Sequence, residues 1–522
     1  MDKSKERYSF QHIWIIGILL YLVILLCCGC GQQEEENAVM PDNIVTLHAV
    51  ILGNEPEKGM TELYEALDEL TIPELGCILR LEFVPWGNER QQLNIAAASG
   101  EYDLLPNGVF SDYQALIAKK AFLDLNDYLH LVPVMVEHYQ YYDEDYLKKY
   151  EINGSLYGIP QYGQGSLIYT SEGFFYREDL RKEWGLEEIT DFDSLEAYLY
   201  RAKSDPRYQE EALITDNRIW QSLWIMLAGG KYLEIDSMQT TPFVVVEAKQ
   251  PDVAINRLET PEFQEILSIL KRWRADGILE ANMLALSDNE GSRALALLLA
   301  DRKPCESNVP IWSLSSNFLP QLVAEHVDWE YGFYLYISTN EQHYKTSPVG
   351  SSVISISSKT RYPEIAIRLL EKIHTDQRYY DLIQYGVEDI HYHIRDGKIS
   401  YEGIDSTSRF RMTVAGDGLL NRVEEPASEQ WGDIVVQFEA WSEETMMGSD
   451  YSPIDGFVFT STGLNQIIDD MEGARLQYFQ PLVCGYYEEE DDIAEVVAEL
   501  VERGLDQYLN SIQNQLQEYL NN

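Results

Sequence analysis

An apolar run from Ile13 to Leu26, broken by Gly17 and Tyr21, sets the terms for everything after it. Lys3, Lys5 and Arg7 precede it. Cys27-Cys28-Gly29-Cys30 closes it, and the chain turns abruptly polar from Gly31 to Asn37. A basic start, a short apolar core and a small-residue end are the parts of a secretory signal. The run falls short of the roughly 20 apolar residues a spanning helix needs. No second run in the sequence approaches that length, so the remainder is expected to fold in water outside the cytoplasm.

The closing cysteines resemble the bacterial lipoprotein signal, in which a small residue precedes a Cys that becomes diacylated. Gly29 before Cys30 fits best, with Cys28 as the alternative. The resemblance implies palmitate-type anchoring at Cys30 on the outer face of a Gram-positive cell membrane, since two acyl chains suffice for stable attachment. Residues 1–29 then form the signal peptide. Residues 30–41, polar and acidic, form a flexible tether.

The 493 residues that remain are too many for one compact core and predict two lobes. With 39 basic and 87 acidic residues, the formal charge of −48 argues against nucleic acid and anionic membrane surfaces as partners. The aromatic fraction of 12 %, with 35 tyrosines, argues against disorder. Outside the signal stand Cys77, Cys305 and Cys484, an odd number that excludes a full disulfide framework.

Val45, Leu47, Ala49 and Ile51 alternate as a strand does. Met60, Leu63, Leu67 and Leu70 follow at helical spacing. A strand from Cys77 to Phe83, a helix from about Asn88 to Ala98 stopped by Gly100, a strand from Tyr102 to Leu105 and a helix from Ser111 to Lys119 complete a β-α-β-α-β order. That order predicts an α/β lobe with a mainly parallel sheet, which binds ligands beyond the carboxyl ends of its strands. Three predicted strand ends carry Gly53-Asn54, Pro85-Trp86-Gly87 and Pro106-Asn107-Gly108. Further on, Phe263 to Trp273 reads as an amphipathic helix, Ala294 to Ala300 as a buried apolar segment, and Val353 to Ile356 as a strand. Residues 493–520 read as two helices parted near Gly504.

Several segments, in order, resemble the extracellular solute-binding family that serves ABC importers for sugars, the family of maltose-binding protein. They are Ala96 to Leu104, Ala121-Phe122-Leu123-Asp124-Leu125, Asn153-Gly154-Ser155-Leu156-Tyr157-Gly158-Ile159-Pro160, Phe175 to Leu180 ahead of Trp184-Gly185-Leu186, and Tyr362-Pro363-Glu364-Ile365-Ala366. Tyr385-Gly386-Val387-Glu388-Asp389-Ile390-His391-Tyr392 and the stretch from Gly456 to Leu520 resemble a lipoprotein subgroup with its own C-terminal domain. Asp389 stands where that motif carries Gly. Together these segments cover most of residues 42–520.

The resemblance implies a type II periplasmic-binding-protein-like fold: two α/β lobes joined by crossing strands, with ligand in the cleft and hinge closure around it. Residues 42–162 and 348–408 would form lobe 1, and residues 163–347 and 409–522 lobe 2. It also implies a monomer that carries a sugar or oligosaccharide to ABC importer permease subunits, with no cofactor and no catalysis.

Sugar clefts stack aromatic rings on pyranose faces and meet hydroxyls with carboxylates and amides. Trp86 and Asn107 at strand ends, and Tyr162 after the Gly-Ile-Pro turn, are candidate ligand contacts. So are Trp224 ahead of Gly229-Gly230, Trp312 after Pro310, Glu388 and His391 in the subgroup motif, and Trp431 beside Gly432. Each has an ordinary alternative as a packing residue. His391 and His393 without a third ligand do not make a metal site. No P-loop, His-Glu-x-x-His or Gly-x-Ser-x-Gly pattern occurs. The rival readings are a binder of another solute such as a peptide or polyamine, a sensor partner that presents ligand to a receptor, and a surface glycosidase.

Overall fold

A computed structural model describes residues 44–521 except 86–88, 141–144, 153, 161–165, 170, 236–241, 286–289, 312–313, 316–318, 347–351, 411–419, 458, 460–463 and 488–489. The expected signal peptide and tether, with Cys30, lie outside the described residues. Among the described residues no helix is long and apolar enough to cross a membrane.

The first sheet has five strands in the order Cys77–Val84, Val45–Leu52, Leu104–Asn107, Val353–Ile356, Ile159–Pro160. The first three run parallel, as the alternating strands and helices require. Val353–Ile356 returns antiparallel between Leu104–Asn107 and Ile159–Pro160. Helices Met60–Leu75 and Glu89–Ser99 link the parallel strands. The third strand starts two residues later than the alternation suggests. The Asp103 carboxylate accepts the His48 backbone N–H at 2.8 Å, and ladder pairing takes over only at Leu104. Gly76 ends the first helix in the left-handed region at φ 67°, where a Cβ would be strained.

A three-stranded antiparallel sheet, Cys305–Pro310, Glu172–Arg177 and Tyr331–Leu335, centres the second half. A separate meander, Tyr232–Glu234, Val244–Glu247 and Gln250–Asn256, lies beside it in sequence. The helix Pro261–Ala275 is capped by the Thr260 hydroxyl and buries Phe263, Ile266, Leu267, Leu270 and Trp273, the predicted stripe. Ala294 to Ala300 is only half-buried. It lies on the amphipathic helix Glu290–Leu299, which hides Ala294, Leu297 and Leu298 and exposes Ala296.

The buried apolar residues fall into two large cores. One takes residues from Leu47 to Ile159 and from Val353 to Phe410; the other takes Leu167 to Ile337 and Trp431 to Leu516. A small third cluster gathers Tyr380, Tyr385, Tyr392 and Ile399. Cys77, Cys305 and Cys484 are free thiols, all buried; burial pushes Cys77 and Cys484 up to about 12 and Cys305 higher still.

The C-terminal helices belong to the second core. Phe479 packs against Trp220 and Phe243, each 5.4 Å away between ring centroids. Helices Glu490–Glu502 and Leu505–Leu520 meet at Gly504, φ 110°. Gln513 covers the outer edge of the meander: its side-chain oxygen accepts the Ala254 N–H at 2.8 Å, and its amide donates to the Asp252 carbonyl.

Candidate functional site: the crossing and the strand ends around it

The chain leaves the first sheet at Pro160 and enters a small second one at Ser166–Leu167. It returns from Tyr344–Thr346 to Val353–Ile356. The two segments are antiparallel neighbours at both ends: Thr346 pairs with Ser166, and Val353 pairs with Pro160. Asp450–Tyr451 joins the same small sheet beside Tyr344 and Lys345. Gly154 makes the hairpin turn before the crossing at φ 81°. Gly158 serves a different need, because a Cβ there would come 2.7 Å from the Val353 side chain. The Tyr139 hydroxyl donates to the Pro160 carbonyl and pins the exit point.

Strand polarity then fixes which ends meet the crossing. On the first sheet they are the carboxyl ends of the parallel strands, with Asn107 paired to Val353. In the second half, Glu172–Arg177 begins beside the crossing, and its ladders bring Pro310 opposite Glu172 and Leu335 opposite Gly173. Between Glu306 and Val309 the ladder is broken by a bulge, with Asn308 at φ 53°. Bulges re-aim side chains and recur beside functional sites.

That bulge assembles a polar cluster. The Asn308 amide donates to Asp216 at 2.9 Å, and its backbone N–H donates to the Tyr336 hydroxyl at 3.1 Å. Asp216 also accepts from the Arg218 backbone at 2.8 Å and from its guanidinium at 3.2 Å. Arg218 leads into the helix Ile219–Ala228 and is 48 % exposed. Behind this trio Lys303 and Glu306 form a buried pair at 2.6 Å, with Lys303 also donating to Thr215 at 2.9 Å. Burial raises the Glu306 carboxyl above its ordinary value while the Lys303 ammonium opposes the rise. A carboxylate, a guanidinium and an amide on one rim offer hydrogen bonds of both senses, which suits a hydroxyl-rich ligand.

A second polar chain starts just past the crossing. Tyr169, at φ 64°, donates to Glu234 at 2.9 Å, and Glu234 pairs with Arg257. Arg257 is fully buried and lies against the Trp220 and Trp224 rings. This network holds a non-glycine residue in the left-handed region, a strain found at ligand clamps.

The sequence candidates divide. Trp86, Tyr162 and Trp312 lie outside the described residues. Asn107 reaches the crossing edge but is 1 % exposed; its amide donates to the Leu105 carbonyl and its oxygen accepts from Ser111. Trp224 is fully buried on a helix with nine of its ten residues hidden, so it packs the core and cannot meet a ligand from there. Trp431 is likewise buried, edge-on to Phe175 and Phe333, with its indole N–H donated to Ser315. His391 is a structural clamp: Nδ1 accepts the Val387 N–H at 2.8 Å, so Nε2 carries the proton donated to the Lys58 carbonyl at 2.9 Å. Glu388 is exposed, and its backbone bridges to Tyr392. Asp216, Arg218 and Asn308 escaped the sequence reading. Their signals were a polar Asp-Asn-Arg just ahead of an apolar helix and a turn-type Asn interrupting a strand.

Comparison with known proteins decides the family. A model of the bacterial extracellular solute-binding proteins matches residues 79–387. The chain belongs to that family. This solute-binding protein also carries, at residues 453–521, a match to a domain of unknown function. A carbohydrate ABC transporter substrate-binding protein of Streptococcus pneumoniae is 21 % identical across 100 % of this chain and 99 % of its own. The crystal structure of the N-glycan transport solute-binding protein NgtS from Streptococcus pneumoniae, in complex with Man1GlcNAc, superposes with a TM-score of 0.69 at 18 % identity, over 92 % of this chain and 100 % of that one. An HMO-binding, ABC-transporter-associated solute-binding protein from Bifidobacterium longum infantis reaches 0.62 at 14 % identity, over 92 % and 100 %. The fold is therefore the two-lobed type II fold, and the family places the protein outside the cytoplasm. These relatives are transporter substrate-binding proteins, not enzymes.

Proposed function

We propose that this protein captures an oligosaccharide between its lobes by hinge closure and delivers it to an ABC importer, as a monomer held at the cell surface by a lipid on Cys30. The observation that carries the reading is the end-to-end correspondence with the carbohydrate transporter's substrate-binding protein of Streptococcus pneumoniae. The Asp216–Arg218–Asn308 cluster supports it, since its polar groups suit hydroxyls and Asn308 lies on the strand whose Pro310 end pairs with Glu172, a few residues after the crossing. Trp86, Tyr162 and Trp312, by their places in the sequence, would supply the stacking rings, and Asn107 would shape the opposite edge.

Calorimetric titration with mannose- and N-acetylglucosamine-containing oligosaccharides tests this. Asp216→Ala and Asn308→Ala should each weaken binding about tenfold, the worth of one well-made hydrogen bond, with folding retained. Binding of peptides but of no saccharide, or hydrolysis of the glycan, would sink it. Labelling with a palmitate analogue, lost in Cys30→Ala, tests the anchor.

A further inference from the structure

Lys303 is fully buried and Glu306 is 5 % exposed. Taking both charges out of water costs about what their attraction returns, and apolar residues of similar volume commonly match such a pair in stability. What the pair does is better read from its bonds. Lys303 Nζ donates to the Thr215 hydroxyl at 2.9 Å, and Thr215 adjoins Asp216. Glu306 Oε1 accepts the Ser307 N–H at 3.0 Å, and Ser307 adjoins Asn308. Glu306 Oε2 takes the ammonium at 2.6 Å. An unbroken line of bonds thus joins the segment of Asp216 to the bulge of Asn308, alongside the direct Asn308–Asp216 bond of 2.9 Å. The segment of Asp216 is held from its other side by Ile214, whose N–H donates to the Ile278 carbonyl and whose carbonyl accepts from Glu280, both at 3.0 Å.

The bulge explains why a carboxylate stands there. Pairing steps from Glu306 opposite Phe175 to Val309 opposite Gly173, so Ser307 and Asn308 face Phe174 alone. A bulge leaves its extra residue without a ladder partner. Ser307 is buried, and its N–H finds the Glu306 carboxylate instead. A buried N–H with no acceptor costs more than the bond itself returns, so the bulge keeps this shape, with Asn308 turned to Asp216, while Glu306 is in place. The two carboxylates also feel one another: Asp216 raises the Glu306 carboxyl and Lys303 lowers it. The ammonium is what lets them stand close.

We infer that Lys303 and Glu306 are positioning residues for the binding cluster: the pair sets the separation and orientation of Asp216 and Asn308, and touches no ligand itself. The inference rests on the proposed role of that cluster in holding a sugar.

Lys303→Met with Glu306→Leu removes both charges and both ties at similar volume. Its melting temperature should lie close to that of wild type, because the bulge can re-form around the Ser307 N–H, and Asn308 then moves with it. Calorimetry with mannose- and N-acetylglucosamine-containing oligosaccharides should show binding weakened about tenfold, the worth of one well-made hydrogen bond. Without ligand, hydrogen exchange in the peptide around Asn308, whose N–H is held by the Tyr336 hydroxyl, should quicken about tenfold. Lys303→Met with Glu306→Gln keeps an acceptor for Ser307 and should restore most of that protection. Gly386→Ala, a strained substitution in the other core, should change neither affinity nor exchange at Asn308 under native conditions. Unchanged exchange in the Met–Leu variant would overturn the inference whatever its affinity, and so would wild-type affinity despite quickened exchange, since the pair would then serve the fold alone. If wild type binds no saccharide while exchange still quickens, the sugar reading fails and the positioning role stands.

Discussion

His374 ends the helix Pro363–Thr375 deep in the first core, fully buried, with Nδ1 donating to the Leu370 carbonyl at 2.6 Å. Its ring lies 6.2 Å from Tyr139, which pins Pro160 at the crossing. A histidine near a helix C-terminus would ordinarily be favoured as a cation. Here burial wins, with the nearby His138 adding to it, and the pKa falls from 6.5 to about 4. The unfolded chain therefore takes up the proton first. The neutral ring contributes its full stability above pH 6.5, and that contribution is lost as the pH falls toward 4. At 1.36 kcal/mol per pKa unit, the loss reaches about 3 kcal/mol. His374→Gln keeps a donor for Leu370 and removes the titration. Urea unfolding of wild type and variant should be compared at pH 7 and pH 4.5, followed by a probe in the first lobe. Carboxylates titrate in both proteins and cancel in the difference. Wild type should lose 2–3 kcal/mol more than the variant. Parallel pH profiles would refute the reasoning, because they would mean that the buried ring is protonated at no cost.

Lys303→Met should cost about 3 kcal/mol by leaving Glu306 buried without its cation. With its folded pKa then raised, Glu306 should make the variant's deficit shrink as the pH is lowered toward 5, and Lys303→Met with Glu306→Leu should recover most of the stability; melting temperatures across pH check both. Gly386→Ala should destabilise by about 2 kcal/mol, since Gly386 sits at φ 84° and a Cβ would come 2.5 Å from His391 Nδ1. His391 cannot give way without losing its bonds to Val387 and Lys58, so the denaturation midpoint should drop while sugar affinity, measured well below that midpoint, holds.

Much of the first lobe was legible because its elements obey simple periods. Val45 to Ile51 and Cys77 to Phe83 announce strands, and Met60 to Leu70 a helix, by spacing alone, and the return strand Val353–Ile356 fell where its β-branched run lies. The rim of the site was not legible in the same way. Asp216 and Asn308 are 92 residues apart, and they meet only because a bulge turns one strand residue out of register. Tryptophan was a poor guide to the surface. Trp224 lies on a mostly apolar helix that is buried on nearly every side, and its neighbouring glycines serve the turn and the approach to Asn340 rather than an opening. Trp431 follows Ser428, an N-cap, so it begins a long helix whose first turn is pressed against the second core.

The Gln513 contact has a consequence for the order in which this protein can mature. The strand Gln250–Asn256 has an open outer side until Gln513, 259 residues later than Ala254, arrives to occupy it. A chain threaded outward amino-end first therefore presents an unprotected strand for nearly half its passage. Pairing of that strand with another unfinished chain is the natural misstep in this interval. The last helix acts as a latch on completed molecules, so shortened chains lacking it should be degraded outside the cytoplasm rather than persist as functional single lobes.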